Sequence, residues 1–387
     1  MKNDKGGLLS QVKVSIITLH TVNNYGSAMQ TYATQQIFKR FGCEVEFVDF
    51  WRESNTPREK ARRLLNSATL RKLKPLWGIN QKTRNITLKA LERYIQKHVP
   101  PTWKFIQDNV RLTPNRYYSF KELQQNPPLA DVYVTGSDQV WNSEWNQGIE
   151  KAYFLDYAPE GKKRISFAAS IGKTTLDKAE VEETVALWKK YAAISVREES
   201  AVALMNSFGL NANLILDPTL MLTSNEWKEI SSKRKVLDEP YILVYQLHEN
   251  PEFDLYLKKL AEKTKYAIVR IGYSHSDRKK PGKCIMLPSV PDFLSLFCEA
   301  TCVLTDSFHA TAFALNLGID FISILPSNYG TRIESITRLT GTEDRILRSY
   351  DDLTIVDRKI DKESVQRILS EERKKGLDFL KSAIEVH

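Results

Sequence analysis

The chain has 387 residues, of which 42% are hydrophobic and 10% aromatic, and its net charge is +9. This composition suffices to bury the cores of two domains and excludes a mainly disordered chain. No apolar run approaches the roughly 20 residues of a membrane-spanning helix, and the N-terminal segment has no apolar signal core. Since the four cysteines show neither CxxC spacing nor pairing with histidines, we expect a cytoplasmic protein without a disulfide framework or a zinc site.

In the first half of the chain, short apolar runs alternate with helical patterns. Strands are predicted at residues 12–19, 45–50, 132–135, 165–168, 193–196 and 214–216. Helices are predicted at residues 27–41, 176–190 and 199–208. This alternation predicts a parallel sheet with helices on both faces, and ligands of such sheets bind at the carboxyl ends of the strands.

The positive charge is concentrated in residues 52–104, which contain 14 Lys and Arg against three Asp and Glu. This segment carries a surplus of 11, so the rest of the chain is near −2 (9 minus 11). Apolar residues are interspersed among its cations: Leu64, Leu65, Leu70, Leu73, Leu76 and Trp77. A basic amphipathic segment of this kind predicts binding to an anionic membrane surface. A solvated helical insert is the alternative, and no recognised motif supports nucleic acid as a partner.

After a polar break at residues 217–240, strands are predicted at 241–245, 266–271, 302–304 and 321–324, followed by an amphipathic helix at 361–386. We therefore expect an α/β protein with two doubly wound, Rossmann-like domains. The N-terminal domain covers residues 1–223 with a basic helical insert at about 52–120, the C-terminal domain covers 224–360, and a C-terminal helix covers 361–387.

The first strand ends in a polar turn that opens the first helix. Asn24 and Gly26 suit a turn, and Gly26 would let a ligand approach the backbone. The free amides at the start of the helix can hold an anion, and Gln30 lies one turn further on the same face. We therefore predict that Asn24, Tyr25, Gly26 and Gln30 bind an acceptor, and an ordinary strand-to-helix turn is the alternative.

The strand at 132–135 also ends in small and polar residues, among them Ser137 and Asp138, and Trp141 and Trp145 follow. Aromatic faces beside Asp, Asn and Gln side chains commonly grip a sugar. We therefore add Ser137, Asp138 and Trp141 to the predicted acceptor site. The alternative is that the tryptophans belong to the core and Asp138 caps a helix.

Two further strand ends carry cations. Ser170, Gly172 and Lys173 follow one strand, and Arg197 follows the next. An arginine in this position can fork onto a carboxylate or phosphate, so these residues are candidates for binding an anionic donor. For Arg197 the alternative is a surface ion pair with Glu198 or Glu199.

The strand at 302–304 leads into Thr305-Asp306-Ser307 and a helix with a histidine in its first turn. If Asp306 or Ser307 is the N-cap, His309 is the second or third helical residue. The positive helix end keeps the imidazole neutral and able to accept a proton, and it also attracts an anion. A satisfied cap histidine is the alternative. Arg332 follows the last clear strand, and we predict that it binds the same anion. The alternative is that Arg332 is an ordinary surface charge.

Seven stretches occur together in an order that resembles the polysaccharide pyruvyl transferase family. They are NNYGSAMQTYA, VTGSDQVWN, ISFAASIG, SVREES, LDPTLML, TDSFHATAFALNLG and an R…GTEDR tail, spanning roughly residues 14–348. Each stretch alone is weak, but the ordered set is fairly specific. Residues 52–120 carry no such motif and look like a lineage-specific insert.

The resemblance implies a fold similar to GT-B glycosyltransferases, with the active site between the domains. It also implies phosphoenolpyruvate as donor and co-substrate and a sugar or lipid-linked glycan as acceptor. We expect no further cofactor, and since no metal-binding cluster is visible in the sequence, we predict that the protein works without a metal. His309 matches the family's catalytic histidine, and Arg197 matches a donor-binding arginine. We therefore predict His309, with Asp306 beside it, as the catalytic residues.

This chain departs from the family at one motif. Many members carry Arg-Leu-His where this chain has Ser307-Phe308-His309, so the donor site would need Ser307 together with Arg332 or Lys173. A GT-B glycosyltransferase that uses a nucleotide sugar and a non-catalytic glycan-binding protein remain the alternatives. For a pyruvyl transferase we expect a cytoplasmic protein at the inner face of the plasma membrane.

Overall fold

The computed structural model describes residues 12–67, 81–326 and 330–385. Its strands are β1 Lys13–Ile17, β2 Glu44–Phe50, β3 Leu112–Tyr117, β4 Val132–Thr135, β5 Lys163–Ser166, β6 Ser195–Val196, β7 Asn213–Leu214, β8 Tyr241–Tyr245, β9 Ala267–Gly272, β10 Lys283–Met286, β11 Cys302–Thr305 and β12 Asp320–Ser323. Its α-helices are α1 Tyr25–Arg40, α2 Pro57–Asn66, α3 Gln81–Lys97, α4 Pro101–Asn109, α5 Phe120–Gln125, α6 Ser143–Asn146, α7 Val181–Trp188, α8 Glu199–Ser207, α9 Pro218–Met221, α10 Ser224–Ile230, α11 Pro251–Thr264, α12 Val290–Cys298, α13 Phe308–Leu317, α14 Thr331–Leu339 and α15 Lys362–Ile384. Short 3-10 helices lie at Glu53–Asn55, Lys151–Phe154, His275–Lys279, Glu343–Arg345 and Thr354–Asp357.

Two parallel sheets organise the chain. The first has the order β3-β2-β1-β4-β5 and the second the order β10-β9-β8-β11-β12. In each sheet the first strand in the sequence lies in the middle, the next two strands extend to one edge, and the last two lie on the other side of the first strand. This is the doubly wound arrangement. The predicted α/β class with two Rossmann-like sheets is therefore confirmed. We refer to the chain up to residue 223 as the N-terminal half and to the remainder as the C-terminal half.

The predicted strands lie where the apolar runs predicted them, with ends displaced by one or two residues. Central strands of parallel sheets are covered on both faces and therefore read as continuous apolar runs. Val132–Thr135 and Tyr241–Tyr245 are buried at every position, and their predicted bounds are correct. The helix predicted at 176–190 is shorter, since it begins only at Val181.

Two edge strands escaped prediction. Leu112–Tyr117 contains Pro114 and three exposed residues, and Lys283–Met286 is only partly buried. An edge strand pairs on one side only, so it tolerates proline and polar residues that obscure the strand pattern. The prediction of a helical insert at about 52–120 is therefore wrong for its last part, because Leu112–Tyr117 is a strand of the N-terminal sheet.

The basic segment forms α2, α3 and α4. Its last helix packs on the N-terminal sheet's first helix through buried Trp103, Phe105 and Ile106. Four of the apolar residues singled out in the sequence, Leu70, Leu73, Leu76 and Trp77, lie outside the described residues. Across the described parts of the chain, no helix is both long and apolar enough to span a membrane.

The two halves are joined by direct packing and by the C-terminal helix. Tyr25 of α1 stacks on Phe293 of α12 with ring centres 4.4 Å apart. The C-terminal helix α15 crosses back to the N-terminal half, where Gly376 lies against the side chain of Met221. Arg373 donates to Leu220 O at 2.7 Å and to Asn316 Oδ1 at 2.9 Å. This packing fixes a cleft between the carboxyl ends of the two sheets.

Candidate functional site

A cavity of about 310 Å³ lies in this cleft, and we call it the cleft pocket. Both halves of the chain contribute side chains to it. From the N-terminal half it is lined by Asn24, Ser27, Asp138, Gln139 and Trp145. From the C-terminal half it is lined by Leu247, His248, Asp306, Ser307, Phe308, His309, Pro326, Arg332 and Ile333.

His309 reaches the pocket from the start of α13. Ser307 is the N-cap of this helix and its hydroxyl accepts a hydrogen bond from Ala310 N, so His309 is the second helical residue. The imidazole packs directly on Gly26 of the N-terminal half. A Cβ placed at Gly26 would lie 2.1 Å from His309 Nδ1, well inside van der Waals contact. Gly26 is thus required by the histidine rather than by a ligand, contrary to its predicted role in acceptor binding.

The imidazole of His309 is held neutral. Burial lowers its pKa to about 4 and outweighs the opposite effect of Asp217, whose Oδ2 lies 3.9 Å from His309 Nε2. His309 Nε2 is buried and has no hydrogen-bond partner in the described structure. The ring is therefore a neutral group beside a carboxylate that would stabilise the imidazolium after a proton is gained.

Arg197 is buried in a cluster of carboxylates below the pocket. Its guanidinium donates to Asp217 Oδ2 at 2.6 Å, to Asp138 Oδ1 at 3.2 Å and to Ser137 Oγ at 3.2 Å. Burial alone would raise the pKa of Asp138, but Arg197 and His309 lower it to about 2. Both carboxylates are ionised, and the arginine compensates their charge.

This arrangement changes the predicted role of Arg197. The sequence placed it on an anionic donor, with a surface ion pair to Glu198 or Glu199 as the alternative. The structure pairs Arg197 with Glu198 at 3.9 Å, but both side chains are fully buried rather than at the surface. Arg197 does not line the pocket, because a fully buried guanidinium needs carboxylate partners and finds them in Asp138 and Asp217. It positions those carboxylates, and Asp217 in turn faces the imidazole.

Arg332 is the cation that does line the pocket. Its guanidinium carbon lies 5.6 Å from the centre of the Phe308 ring, and Arg197 lies 5.0 Å from the same ring. Burial, together with the charge of Arg197, lowers the pKa of Arg332 to about 10, so it remains protonated at neutral pH. Its Nε is buried without a hydrogen bond, and none of the described carboxylates forms an ion pair with it. A partly buried guanidinium without a carboxylate partner among the described residues is suited to bind an anion.

Asp306 lines the pocket but its carboxylate is already bound. It accepts hydrogen bonds from Leu247 N at 2.7 Å and from His248 N at 2.9 Å, and His248 Nδ1 lies 3.1 Å away. Asp306 therefore positions the loop after β8, which disagrees with the direct catalytic role predicted from the sequence. His248, which that prediction missed, is half-exposed at the pocket edge.

Three predicted donor residues lie outside the pocket. Lys173 is ion-paired with Glu144 at 3.0 Å. Ser170 Oγ and Gly172 N both donate to Glu198 Oε1, at 2.9 and 3.0 Å. These groups therefore hold a buried carboxylate and a surface loop. Arg332 and Lys173 were the two predicted replacements for the family arginine, and of these only Arg332 lines the pocket together with Ser307.

Several predicted acceptor residues are structural. The Tyr25 hydroxyl donates to Pro288 O across the interface, and Gln30 Nε2 donates to Thr18 Oγ1 at 2.9 Å. Trp141 is buried, and its Nε1 donates to Tyr153 O at 3.1 Å. The tryptophan that lines the pocket is Trp145, which is 53% exposed.

Ser137 is likewise below the pocket, with its hydroxyl donating to Asp217 Oδ2 at 3.0 Å. Asn24 and Asp138 do line it. Asn24 caps α1 through Ser27 N, and the Ser27 hydroxyl donates to Asp138. The strand end at 135–138 thus contributes Asp138 to the pocket lining, whereas Ser137 holds Asp217 in place below the pocket.

Sequence reasoning missed Asp217, the carboxylate that faces His309. A signal was present, because Asp217 follows a short strand and precedes Pro218, as a helix cap does. It does cap α9, accepting from Thr219 N at 2.9 Å. Its second oxygen serves the site, and only the folded chain brings it near residue 309.

The family model for polysaccharide pyruvyl transferase matches residues 24–328, which is most of the chain. The chain belongs to this family. The matched range includes His309, Arg197 and the cleft residues before Pro326, whereas Arg332 lies just beyond it. A comparison with curated proteins gives no match.

Several solved structures that share the fold carry the name UDP-N-acetylglucosamine 2-epimerase. A protein from Listeria monocytogenes described as a UDP-N-acetylglucosamine 2-epimerase is 12% identical with a TM-score of 0.56, over 97% of each chain. The UDP-N-acetylglucosamine 2-epimerase from Rickettsia bellii is 12% identical with a TM-score of 0.54, over 97% of each chain. The UDP-GlcNAc 2-epimerase from Methanocaldococcus jannaschii is 13% identical with a TM-score of 0.52, over 96% of this chain and 98% of that one. At this identity the likeness establishes the GT-B-like fold alone.

Within residues 12–67, 81–326 and 330–385, no group of three or more His, Cys, Asp and Glu side chains is arranged to hold a metal ion.

Proposed function

We propose that this polysaccharide pyruvyl transferase moves a pyruvyl group from phosphoenolpyruvate onto two hydroxyls of one sugar, forming a cyclic ketal. The acceptor would be a polysaccharide or a lipid-linked glycan precursor. One observation carries the proposal beyond family membership. A neutral imidazole and an unpaired guanidinium line the same small pocket between the two halves of the chain.

The donor is small and carries a phosphate and a carboxylate, so it requires concentrated positive charge rather than a large apolar pocket. Arg332 would fork onto one of these anionic groups. The free backbone N–H groups at the start of α13, next to Ser307, would donate hydrogen bonds to the other. The cleft pocket, at about 310 Å³, is of a size for such a donor together with the reacting edge of one sugar.

In the first step, a sugar hydroxyl would attack C2 of phosphoenolpyruvate while C3 gains a proton and becomes a methyl group. His309 would take the hydroxyl proton. Asp217 would stabilise the imidazolium that forms, and the negative charge of the bound donor would raise the pKa of the ring toward a useful value. Arg197 and Ser137 hold Asp217 in place for this role.

In the second step, the bond between C2 and the phosphate oxygen breaks and inorganic phosphate leaves. The neighbouring hydroxyl of the same sugar attacks C2 and loses its proton, which closes the ketal. Of the two hydroxyl protons, one balances the proton gained at C3 and the other is carried away by the phosphate or the solvent. Arg332 would stabilise the charge that develops on the departing phosphate.

The experiment is an assay of phosphate release by ³¹P NMR, with phosphoenolpyruvate and a panel of sugar acceptors, and with the ketal methyl group detected by ¹H NMR. Wild type should release phosphate only when an acceptor is present. His309→Gln should lose turnover by about 10²–10⁴-fold, the usual range for a general base. Unchanged turnover in His309→Gln would exclude the proposed role of the histidine.

Ligand-binding measurements on the same protein distinguish two other functions. Thermal stabilisation by nucleotides and not by phosphoenolpyruvate would favour a nucleotide-sugar glycosyltransferase. Glycan binding without any donor binding would favour a non-catalytic glycan-binding protein. We further propose that the enzyme works in the cytoplasm at the inner face of the plasma membrane, held there by the basic segment.

A further inference from the structure

A second and larger cavity lies between the basic segment and the N-terminal sheet. Its volume is about 710 Å³, and we call it the insert cavity. The residues that matter for its chemistry are Trp51, Lys60, Glu92, Trp103 and Arg116. Its volume falls within the range of about 300–1,000 Å³ that is usual for small-molecule sites. None of the seven motif stretches except the first contributes to it.

One wall of the insert cavity is a rigid aromatic corner. The rings of Trp51 and Trp103 meet edge to face, with centres 5.0 Å apart at 82°. Asp49 fixes this corner, since it accepts from Trp51 Nε1 at 2.6 Å and from Arg116 Nε at 2.7 Å. The guanidinium of Arg116 lies over both rings, 5.0 Å from Trp51 and 5.8 Å from Trp103. The corner is thus in place before any ligand arrives.

The other residues that line the insert cavity include polar side chains of mixed charge. Glu53, Glu92, Gln96 and Gln107 contribute carboxylate and amide groups. Lys60 is half-buried over Trp51, 5.7 Å from the ring centre, and no ion pair joins it to a described carboxylate. Burial, together with Arg63, lowers the pKa of Lys60, which is what an ammonium group without a partner shows.

This combination suits a carbohydrate. The hydroxyls of a sugar bond carboxylates and amides, and its C–H groups can contact the small part of the two buried indoles, 7% of each residue, that stays exposed. The two carboxylates disfavour a polyanion such as nucleic acid, while a single unpaired ammonium favours one carboxylate or phosphate group on the ligand.

The insert cavity adjoins the cleft pocket. Asn23 lines the insert cavity, and the next residue, Asn24, lines the cleft pocket. Thr102 of α4 donates to Asn23 Oδ1 at 2.9 Å, which ties the insert to this loop. Arg52 donates to the backbone oxygen of Trp145 at 3.1 Å, and Trp145 also lines the cleft pocket. The two cavities therefore share the loop at residues 23–24, and Arg52 at the start of the insert holds a residue that lines the cleft pocket.

We propose that the insert cavity binds sugar residues of the acceptor glycan next to the one that reacts, with an anionic group of the glycan beside Lys60. Its assignment to the acceptor rests on the proposed pyruvyl transfer, whereas carbohydrate binding by the cavity does not. The insert thereby selects the acceptor, while the cleft pocket performs the chemistry.

The test is binding of the full-length protein to an oligosaccharide array in the absence of donor. The array carries neutral glycans and glycans of similar length with uronic acid or phosphate groups. Wild type should bind acidic glycans more tightly than neutral ones. Lys60→Gln should weaken that binding by about tenfold, as expected for a charged hydrogen bond. Lys97→Gln, which removes the same charge from an exposed site on α3 outside the cavity, should bind as wild type does.

Trp103→Phe provides a second variant, because it keeps most of the buried packing while it shortens a ring that lines the cavity, and it should weaken binding of all sugars. Melting temperatures verify that each variant is folded. Failure of wild type to bind any glycan, or equal losses in Lys60→Gln and Lys97→Gln, would overturn the inference. Phosphoenolpyruvate binding is measured on the same proteins and should be unchanged in Lys60→Gln. If wild type binds glycans but not phosphoenolpyruvate, the site stands and the proposed function fails.

Discussion

The cleft pocket and the insert cavity differ in how they hold charge. In the cleft pocket the titratable groups are buried and compensate one another, so that Arg197, Asp138, Asp217 and His309 form one coupled cluster. In the insert cavity Lys60 is half-exposed and unpaired beside a fixed aromatic corner. Coupled buried charges suit a reaction in which charge moves, whereas isolated groups on a rigid wall suit recognition. Changes in the cleft pocket should therefore affect the chemical step, and changes in the insert cavity should affect only acceptor affinity.

After removal of the imidazole itself, the largest effect should come from Gly26→Ala. The added methyl group would overlap the imidazole, since its position is 2.1 Å from His309 Nδ1, so the ring must move. A displacement on the order of 1 Å costs roughly 100-fold in rate when it separates a catalytic group from its substrate. We expect kcat to fall by about that factor with glycan affinity unchanged. Steady-state kinetics measure kcat, and array binding measures glycan affinity. A fall in glycan affinity with unchanged kcat would contradict the assignment of the chemistry to the cleft pocket and of glycan binding to the insert cavity.

The next effect concerns stability and pH. The folded protein keeps His309 neutral because its pKa is lowered to about 4, while the unfolded chain takes up that proton below about 6.5. The unfolded state therefore binds more protons between these values, and stability falls as pH falls through this window. For this residue the loss between pH 7 and pH 5 is on the order of 2 kcal/mol.

His309→Gln removes the titrating group, so its free energy of unfolding should decline less than that of wild type over the same pH range. Denaturant unfolding at the two pH values measures the difference. His275 is exposed in the 3-10 helix His275–Lys279, so His275→Gln serves as the matched control and should follow wild type. If the three proteins lose stability equally, His309 does not titrate as a buried neutral group.

Arg332→Gln should weaken phosphoenolpyruvate binding by about tenfold, because it removes one charged hydrogen-bond donor. Arg338 on the same helix is half-exposed and already paired with Glu199 at 2.7 Å, so Arg338→Gln is the control. Isothermal titration with phosphoenolpyruvate measures both variants. Equal affinities of the two would mean that the donor binds elsewhere.

The smallest effect concerns the membrane. Helix α3 exposes Ile86 and Tyr94 among cations such as Arg84 and Arg93. We expect binding to vesicles that contain phosphatidylglycerol, with about 1 kcal/mol from each cation near the surface, and we expect this binding to weaken as salt rises. Co-sedimentation compares Arg84→Gln/Arg93→Gln with the exposed pair Arg278→Gln/Lys279→Gln. Vesicle binding that does not change with salt concentration, or that weakens equally in both variants, would count against a membrane role for the insert.

The sequence predicted the central strands well because a strand that is covered on both faces must be apolar along its length. It failed at the edges of the sheets, where Leu112–Tyr117 and Lys283–Met286 pair on one side and read as polar segments. The same limit made the insert appear wholly helical. Strand position within a sheet is a tertiary property that a local pattern does not carry.

Within the site, His309, Ser307, Asp138, Asn24 and Arg332 were predicted and line the cleft pocket. Tyr25, Gln30 and Trp141 lie in the same motifs but face the protein interior, and sequence spacing does not distinguish a buried helix face from a ligand-facing one. Asp217 escaped notice because its partners Arg197 and His309 are distant in sequence. The insert cavity was also missed, since its wall combines Trp51, Trp103 and Arg116 from three separate elements.

The most direct test of the central claim is a crystal structure of the protein soaked with phosphoenolpyruvate. The account predicts that the donor lies in the cleft between the two halves, with an anionic group on Arg332 and C2 within reach of a sugar hydroxyl beside His309. Donor density in the insert cavity, on Lys173 or at any site more than one side chain away from His309 would contradict it.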